Sequence, residues 1–195
     1  MKKYSGFTLT ELMITVAIIG ILATVGVPQL QTFMQGNRLV ASTNELLSAL
    51  HIARSEAIKL NSRVSICSSN NGSTCSGSDN WANGWVVFVD ADSNLAGTAA
   101  ACTATGTDCL LRVHEGFNDN QLTVSGLDNN AAAITSLTFT SRGLPRNNGA
   151  SQSGIFNLCR LDANGSTVDS RAVVLSLAGR ARVSDNAAVM TQCPA

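Results

Sequence analysis

Hydrophobic positions fall into three regimes along the chain. Across residues 7–27 almost every position is apolar or Thr, and Glu11 is the only charged one. At about 1.5 Å per residue, a helix of this length reaches across a hydrocarbon core of about 30 Å. Past Pro28 the apolar positions return at helical spacing. Leu39, Leu46, Leu50, Ala53, Ala57 and Leu60 line one side, with Arg38, Glu45, Arg54, Glu56 and Lys59 between them. That period predicts an amphipathic continuation with one face against a folded domain. Gly26 and Pro28 mark a bend between the halves, and Asn61-Ser62 a stop. After Arg63 the period shortens to that of strands. Runs at 64–67, 85–89, 110–114, 122–124, 134–140, 154–161, 172–177 and 180–184 are separated by turn-rich segments at 68–80 and 90–107. Leu137 and Phe139 alternate with Thr138 and Thr140, and Val173, Leu175 and Leu177 alternate with their neighbours. One long helix followed by many short strands predicts an α+β chain. The helix, transmembrane and then amphipathic, packs on a C-terminal β-sandwich head.

The N-terminal end carries its own chemistry. Lys2 and Lys3 precede the apolar run and hold its start on the cytoplasmic side. A secretory signal would show a small-residue cleavage site after the run, whereas Val25-Gly26-Val27-Pro28 leads into another helix. Glu11 does not suit a plain anchor, because a carboxylate near mid-membrane costs about 2.5 kcal/mol or more. Cleavage after Gly6 would free the amine of Phe7, and a neighbouring subunit could then supply the opposite charge.

Lys2-Lys3, Gly6-Phe7-Thr8-Leu9-Thr10-Glu11-Leu12 and Pro28 resemble the class III leader of type IV prepilins and secretion pseudopilins. The resemblance implies a prepilin peptidase that cuts after Gly6 and methylates Phe7, with Glu11 promoting subunit assembly. Thr10 stands where Ile is commoner. Further on, Ala53-Arg54-Ser55-Glu56-Ala57-Ile58, Trp81 with Gly84-Trp85-Val86-Val87-Phe88-Val89-Asp90, and Leu177-Ala178-Gly179-Arg180-Ala181-Arg182 resemble the GspH/FimT family of minor pilins. That likeness implies a leader at 1–6, a membrane and filament-core helix at 7–28, its amphipathic continuation at 29–62, and a periplasmic β-rich head at 63–195. Its implied partners are the prepilin peptidase, the inner membrane, and other major and minor pilins.

All six cysteines lie in the head, at Cys67, Cys75, Cys102, Cys109, Cys159 and Cys193. An even count beyond an anchor suits an oxidising compartment and disulfides. Six cysteines allow fifteen pairings, and sequence does not fix which. The favoured reading closes Cys67 on Cys75 and Cys102 on Cys109, with Cys159 and Cys193 tying the tail to the sheet. No metal is expected, since no C-x-x-C pair exists and His51 and His114 stand apart. Asp90-Ala91-Asp92-Ser93-Asn94 opens like a calcium loop, but Gly comes at position 97 and Ala101 stands where the closing Glu belongs. A polar turn is the expectation there. Nothing resembles a nucleophile motif or a phosphate loop, so neither an enzyme nor a cofactor is expected.

Acids and bases balance at 13 each, so net charge identifies no partner. Their distribution does more. No Lys or Arg occurs from Val64 to Leu111, while Arg142, Arg146, Arg160, Arg171, Arg180 and Arg182 crowd the last third. Guanidinium groups grip phosphate in bidentate fashion. On a strand, Arg180 and Arg182 point the same way while Ala181 and Val183 face the core. In the FimT-like branch of the family, a Gly-Arg-x-Arg element is associated with DNA capture in natural transformation. Here it reads Gly179-Arg180-Ala181-Arg182. The expected partner is double-stranded DNA held through its backbone without sequence preference, with Arg142, Arg146, Arg160 and Arg171 as further contributors. The alternative is a GspH-like structural pseudopilin of a type II secretion system without DNA binding.

Overall fold

The computed structural model of the protein describes residues 6–92, 94–95, 102, 108–117, 120–147, 149–185 and 193, without the side chains of Val25, Pro28, Gln31 and Thr32. Lys2 and Lys3, positions 97 and 101, and much of the 90–107 segment lie outside the described residues. A single helix, α1 (Leu9–Lys59), is assigned without a break across Gly26 and Pro28. The chain divides into two units, Met1–Arg38 and Leu39–Ala195.

In the first unit, Leu12, Met13, Ile14, Ile18, Ile19, Ile21 and Leu22 are all more than half exposed. Among the described residues, no helix is long and apolar enough to cross a membrane.

The second unit begins with the rest of α1 and continues with ten strands. They are β1 (Val64–Ser68), β2 (Gly84–Val89), β3 (Cys109–Glu115), β4 (Leu122–Asp128), β5 (Ser136–Phe139), β6 (Pro145–Asn147), β7 (Ala150–Ser151), β8 (Gly154–Leu161), β9 (Thr167–Leu175) and β10 (Ala181–Ser184). They form a six-stranded sheet ordered β3-β2-β1-β5-β6-β7 and a four-stranded sheet ordered β10-β9-β8-β4. All the pairings are antiparallel. Both sheets and the helix share one core. Leu39, Leu46, Leu50, Ala53 and Ala57 meet Ile66, Val87, Leu137 and Phe139 of one sheet, and Phe156, Leu158, Val173 and Leu175 of the other. Trp81, in a short 3-10 turn before β2, is fully buried edge-on to Phe156 at 5.1 Å. Its indole N–H donates to the Ile134 carbonyl at 2.7 Å, which removes the penalty of burying an unpaired donor.

The helix ends one residue before the last position of its apolar stripe, at the expected Asn61-Ser62 stop. Leu60 lies beyond the last helical residue and is 39% exposed. Asn61 takes a left-handed conformation (φ 47°), and the Ser62 N–H returns to the Ala57 carbonyl at 3.2 Å. Asn tolerates that conformation better than most residues, so it closes the helix as glycine would. The run expected at 172–177 is shifted to Thr167–Leu175, because residues 176–179 form a turn that leaves Leu177 exposed. Likewise the run at 134–140 shrinks to Ser136–Phe139, with the Ile134 N–H bonded to the Gly126 carbonyl at 2.8 Å.

The six cysteines pair as Cys67–Cys75, Cys102–Cys109 and Cys159–Cys193, with Cα separations of 5.5, 4.8 and 5.7 Å. The first lies on the outer side of the six-stranded sheet, beside Val86 and Phe88.

Candidate functional site

At the start of α1, Thr8 and Glu11 cap the helix. The Glu11 N–H donates to Thr8 Oγ1 at 3.3 Å, and Glu11 Oε2 accepts the Thr8 N–H at 3.4 Å and its hydroxyl at 3.3 Å. This reciprocal box satisfies two donors that the first helical turn leaves without partners. It was readable as Thr-x-x-Glu ahead of an apolar run, a signal that the reading of Glu11 as the partner of a neighbouring subunit's amine passed over. Gly6 precedes the helix, and Phe7 is 82% exposed.

A second constellation is built on the turn between β9 and β10. The Gly179 N–H donates to the Ser176 carbonyl at 2.8 Å and the Ser176 N–H to the Arg180 carbonyl at 3.0 Å. The Arg180 N–H reaches Ser176 Oγ at 3.1 Å. Gly179 sits at φ +74°, and a Cβ added there would overlap the Gly143 carbonyl oxygen and come within 3.2 Å of Arg54 Nε. Glycine is thus required twice, by conformation and by space. Gly143 is itself at φ +73°, in the β5–β6 turn closed by its N–H to the Thr140 carbonyl at 2.7 Å. Two glycine turns therefore meet over Arg54 of the helix.

Among the described residues, strand β10 pairs only with β9, in register Arg182↔Val174 and Ser184↔Ala172, and forms the edge of its sheet. Arg180 and Arg182 are exposed, and Ala181 packs against the core. Arg180 precedes the first paired residue of β10, yet it is presented to solvent beside Arg182.

The other arginines separate into two groups. Arg142 adjoins Gly143 in the turn that touches Gly179, and Arg146 lies on β6 with its guanidinium donating to the Gly149 carbonyl at 2.8 Å. Arg160 and Arg171 fall in the rows of β8 and β9 that also hold Phe156, Leu158, Val173 and Leu175, the core-facing side. Arg171 is engaged by Asp185 at 3.2 Å, and Arg160 stands opposite Asp169. The structure brings Gly143, next to Arg142, against Gly179, next to Arg180, and puts Arg160 and Arg171 on the core-facing side of their strands.

His51 is exposed on α1. His114 stacks on Trp85 at 3.8 Å and pairs with Glu45 at 3.0 Å, joining β3 to the helix. Carboxylate oxygens of Asp90, Asp92 and Asp108 lie within 4.8 Å of one another. Asp90 is buried and accepts the Ser65 hydroxyl at 2.8 Å, while Asp108 accepts the Ala91 N–H at 2.8 Å. These are the bonds of a polar turn after β2.

A capped apolar N-terminal helix joined to an antiparallel β-sheet domain is the architecture of type IV pilin-like subunits. The profile described as type II transport protein GspH matches residues 42–179, and the prokaryotic N-terminal methylation motif matches residues 1–27. The chain belongs to the GspH family, as a type IV minor pilin or pseudopilin of the GspH/FimT type.

Among solved structures it is similar to the type IV minor pilin FimU of Pseudomonas aeruginosa, with 25% identity and a TM-score of 0.50 over 78% of this chain and 92% of that one. Among curated proteins it is 48% identical over 58 residues to a fimbrial protein of Pseudomonas aeruginosa, covering 30% of this chain and 37% of that protein. It is also 48% identical over 48 residues to the type IV major fimbrial protein FimA of Dichelobacter nodosus, covering 23% of this chain and 31% of that protein. The chain thus matches only about a third of the length of these curated relatives.

Proposed function

We propose that this protein is a minor pilin, made as a prepilin, whose head binds double-stranded DNA without sequence preference for uptake in natural transformation. In this reading residues 1–6 are a leader removed by prepilin peptidase after Gly6, and Phe7 is methylated. Residues 7–28 anchor the subunit in the inner membrane and later pack in the filament core. Residues 29–62 continue the helix, and residues 63–195 form the periplasmic head. Other major and minor pilins are its partners, and Glu11 pairs with a neighbouring subunit during assembly.

The observation that carries the DNA reading is the pair Arg180 and Arg182, both exposed on a sheet edge that follows a close-packed glycine turn. An edge strand bearing charge also resists edge-to-edge pairing, and that alone would account for two arginines there. The position of Arg142 beside the same turn favours a phosphate-binding role. The match to the type II transport protein GspH supports a second reading, a structural pseudopilin of a secretion filament.

The test is DNA binding by the full chain in an uncharged detergent, across a salt series, on unrelated duplexes. Each neutralised phosphate contributes about 0.9 to the slope of log affinity against log salt. Arg180 and Arg182 together therefore account for a slope near 1.8, about a twelvefold loss between 50 and 200 mM salt. The Arg180→Gln, Arg182→Gln double variant is expected to lose that component. No binding by the parent protein at low salt would leave the structural pseudopilin.

A further inference from the structure

Two phosphate contacts give weak binding, and the head carries a second basic surface close to the first. A cleft of about 680 Å³ is lined by Arg63, Arg142 and Arg146, the hydroxyl residues Thr140 and Ser141, and Asp90. It lies over the β5–β6 hairpin, on the side of the six-stranded sheet where Thr138 meets the Ser65 hydroxyl at 2.6 Å. Two of its cations hydrogen-bond to backbone carbonyls. Arg63 donates to the backbone carbonyls of Asp90 and Ala91, at 3.4 and 2.7 Å, and Arg146 to the Gly149 carbonyl. Among the described residues, no ion pair engages Arg63, Arg142 or Arg146. Among the described residues that line it, Asp90 is the one carboxylate, 1% exposed and held by Ser65. Asp92 and Asp108, whose carboxylates lie within 4.8 Å of that of Asp90, add negative charge near Arg63, so it is Arg142 and Arg146 that bias the cleft toward an anion.

The cleft is also connected to the edge strand. Arg142 belongs to the cleft and adjoins Gly143, whose carbonyl is in contact with Gly179, the neighbour of Arg180. Arg142 and Arg180 are each one residue, about 3.8 Å along the chain, from that contact. We propose that the cleft is a second phosphate-binding site, and that a DNA backbone engaging Arg180 and Arg182 continues over the two touching turns onto Arg142, Arg146 and Arg63. This rests on the DNA-binding reading and deepens it. The footprint becomes the whole end of the head, where guanidinium forks with neighbouring hydroxyls grip phosphate oxygens, contacts that carry no sequence information.

The experiment compares four forms of the full chain in an uncharged detergent on one duplex across a salt series. They are the parent, Arg142→Gln with Arg146→Gln, Arg142→Lys with Arg146→Lys, and Arg180→Gln with Arg182→Gln; thermal unfolding checks each fold. Arg63 is left in place because its two backbone hydrogen bonds tie β1 to the end of β2. The cleft Gln variant is expected to bind more weakly, with a log–log salt slope lower by about 1.8, and the Lys variant to keep most of the slope. A cleft Gln variant with the parent's slope, while the edge-strand variant loses its own, overturns the cleft and leaves the DNA reading intact. No binding by the parent overturns both. Loss in the cleft variant with none in the edge-strand variant supports the cleft and overturns the role of Arg180 and Arg182.

Discussion

Gly179 does two things that no other residue can do at once. Its φ of +74° costs a side-chain-bearing residue about 1–2 kcal/mol, and its position against the Gly143 carbonyl leaves no room for a Cβ. The adjoining arginines are exposed and make no packing contribution of that kind. Gly179→Ala is therefore expected to destabilise the head by about 2 kcal/mol or more, because strain and overlap add. Arg180→Gln and Arg182→Gln should each stay within about 0.5 kcal/mol of the parent. Urea unfolding followed by the fluorescence of buried Trp81 and Trp85 measures both. An unchanged midpoint for Gly179→Ala would mean that the two turns do not hold each other, and the argument for a positioned basic edge would lose its support. The motif was legible in the sequence as Gly-Arg-x-Arg. Its contact with Gly143 was not, since 36 residues separate the two glycines along the chain (179 − 143) and no local pattern reports that approach.

At the scale of elements, what was legible followed periodicity. The buried stripe Leu39, Leu46, Leu50, Ala53 and Ala57 was visible as a 3.6-residue repeat, and 154–161 was visible as a strand. Strands β6 and β7, three and two residues long, are shorter than any period can register, and β9 was misplaced because Leu177 continues an alternation that the turn interrupts. Disulfides staple these elements unequally. The Cys159–Cys193 bond closes a separation of 34 residues and Cys67–Cys75 one of 8. In the chain-entropy account, the longer closure stabilises by about 3.8 kcal/mol and the shorter by about 2.5. Replacing Cys159 and Cys193 with Ser should therefore lower stability more than replacing Cys67 and Cys75. The reverse order in urea unfolding would show that the packing of Cys67 against Val86 and Phe88 outweighs chain entropy.

For the whole molecule, the question is whether one carboxylate serves the isolated subunit, the filament or both. Glu11 was legible as an anomaly, an acid in an apolar run, and the sequence reading assigned its partner to another subunit. The structure gives it a partner in its own chain, since Thr8 and Glu11 form a reciprocal cap on the helix. The two accounts make different demands on the side chain. Capping needs an acceptor oxygen, which Gln supplies as well as Glu. Pairing with a freed amine at Phe7 needs a negative charge. Glu11→Val removes both functions and Glu11→Gln removes only the charge, so the pair separates them. If charge pairing drives assembly, both variants should reach the membrane fraction at parental levels, and both should be several-fold depleted in sheared filaments, measured by immunoblot against the major pilin. Parental incorporation of Glu11→Gln, with Glu11→Val still depleted, would move the role of this residue from joining subunits to starting its own helix.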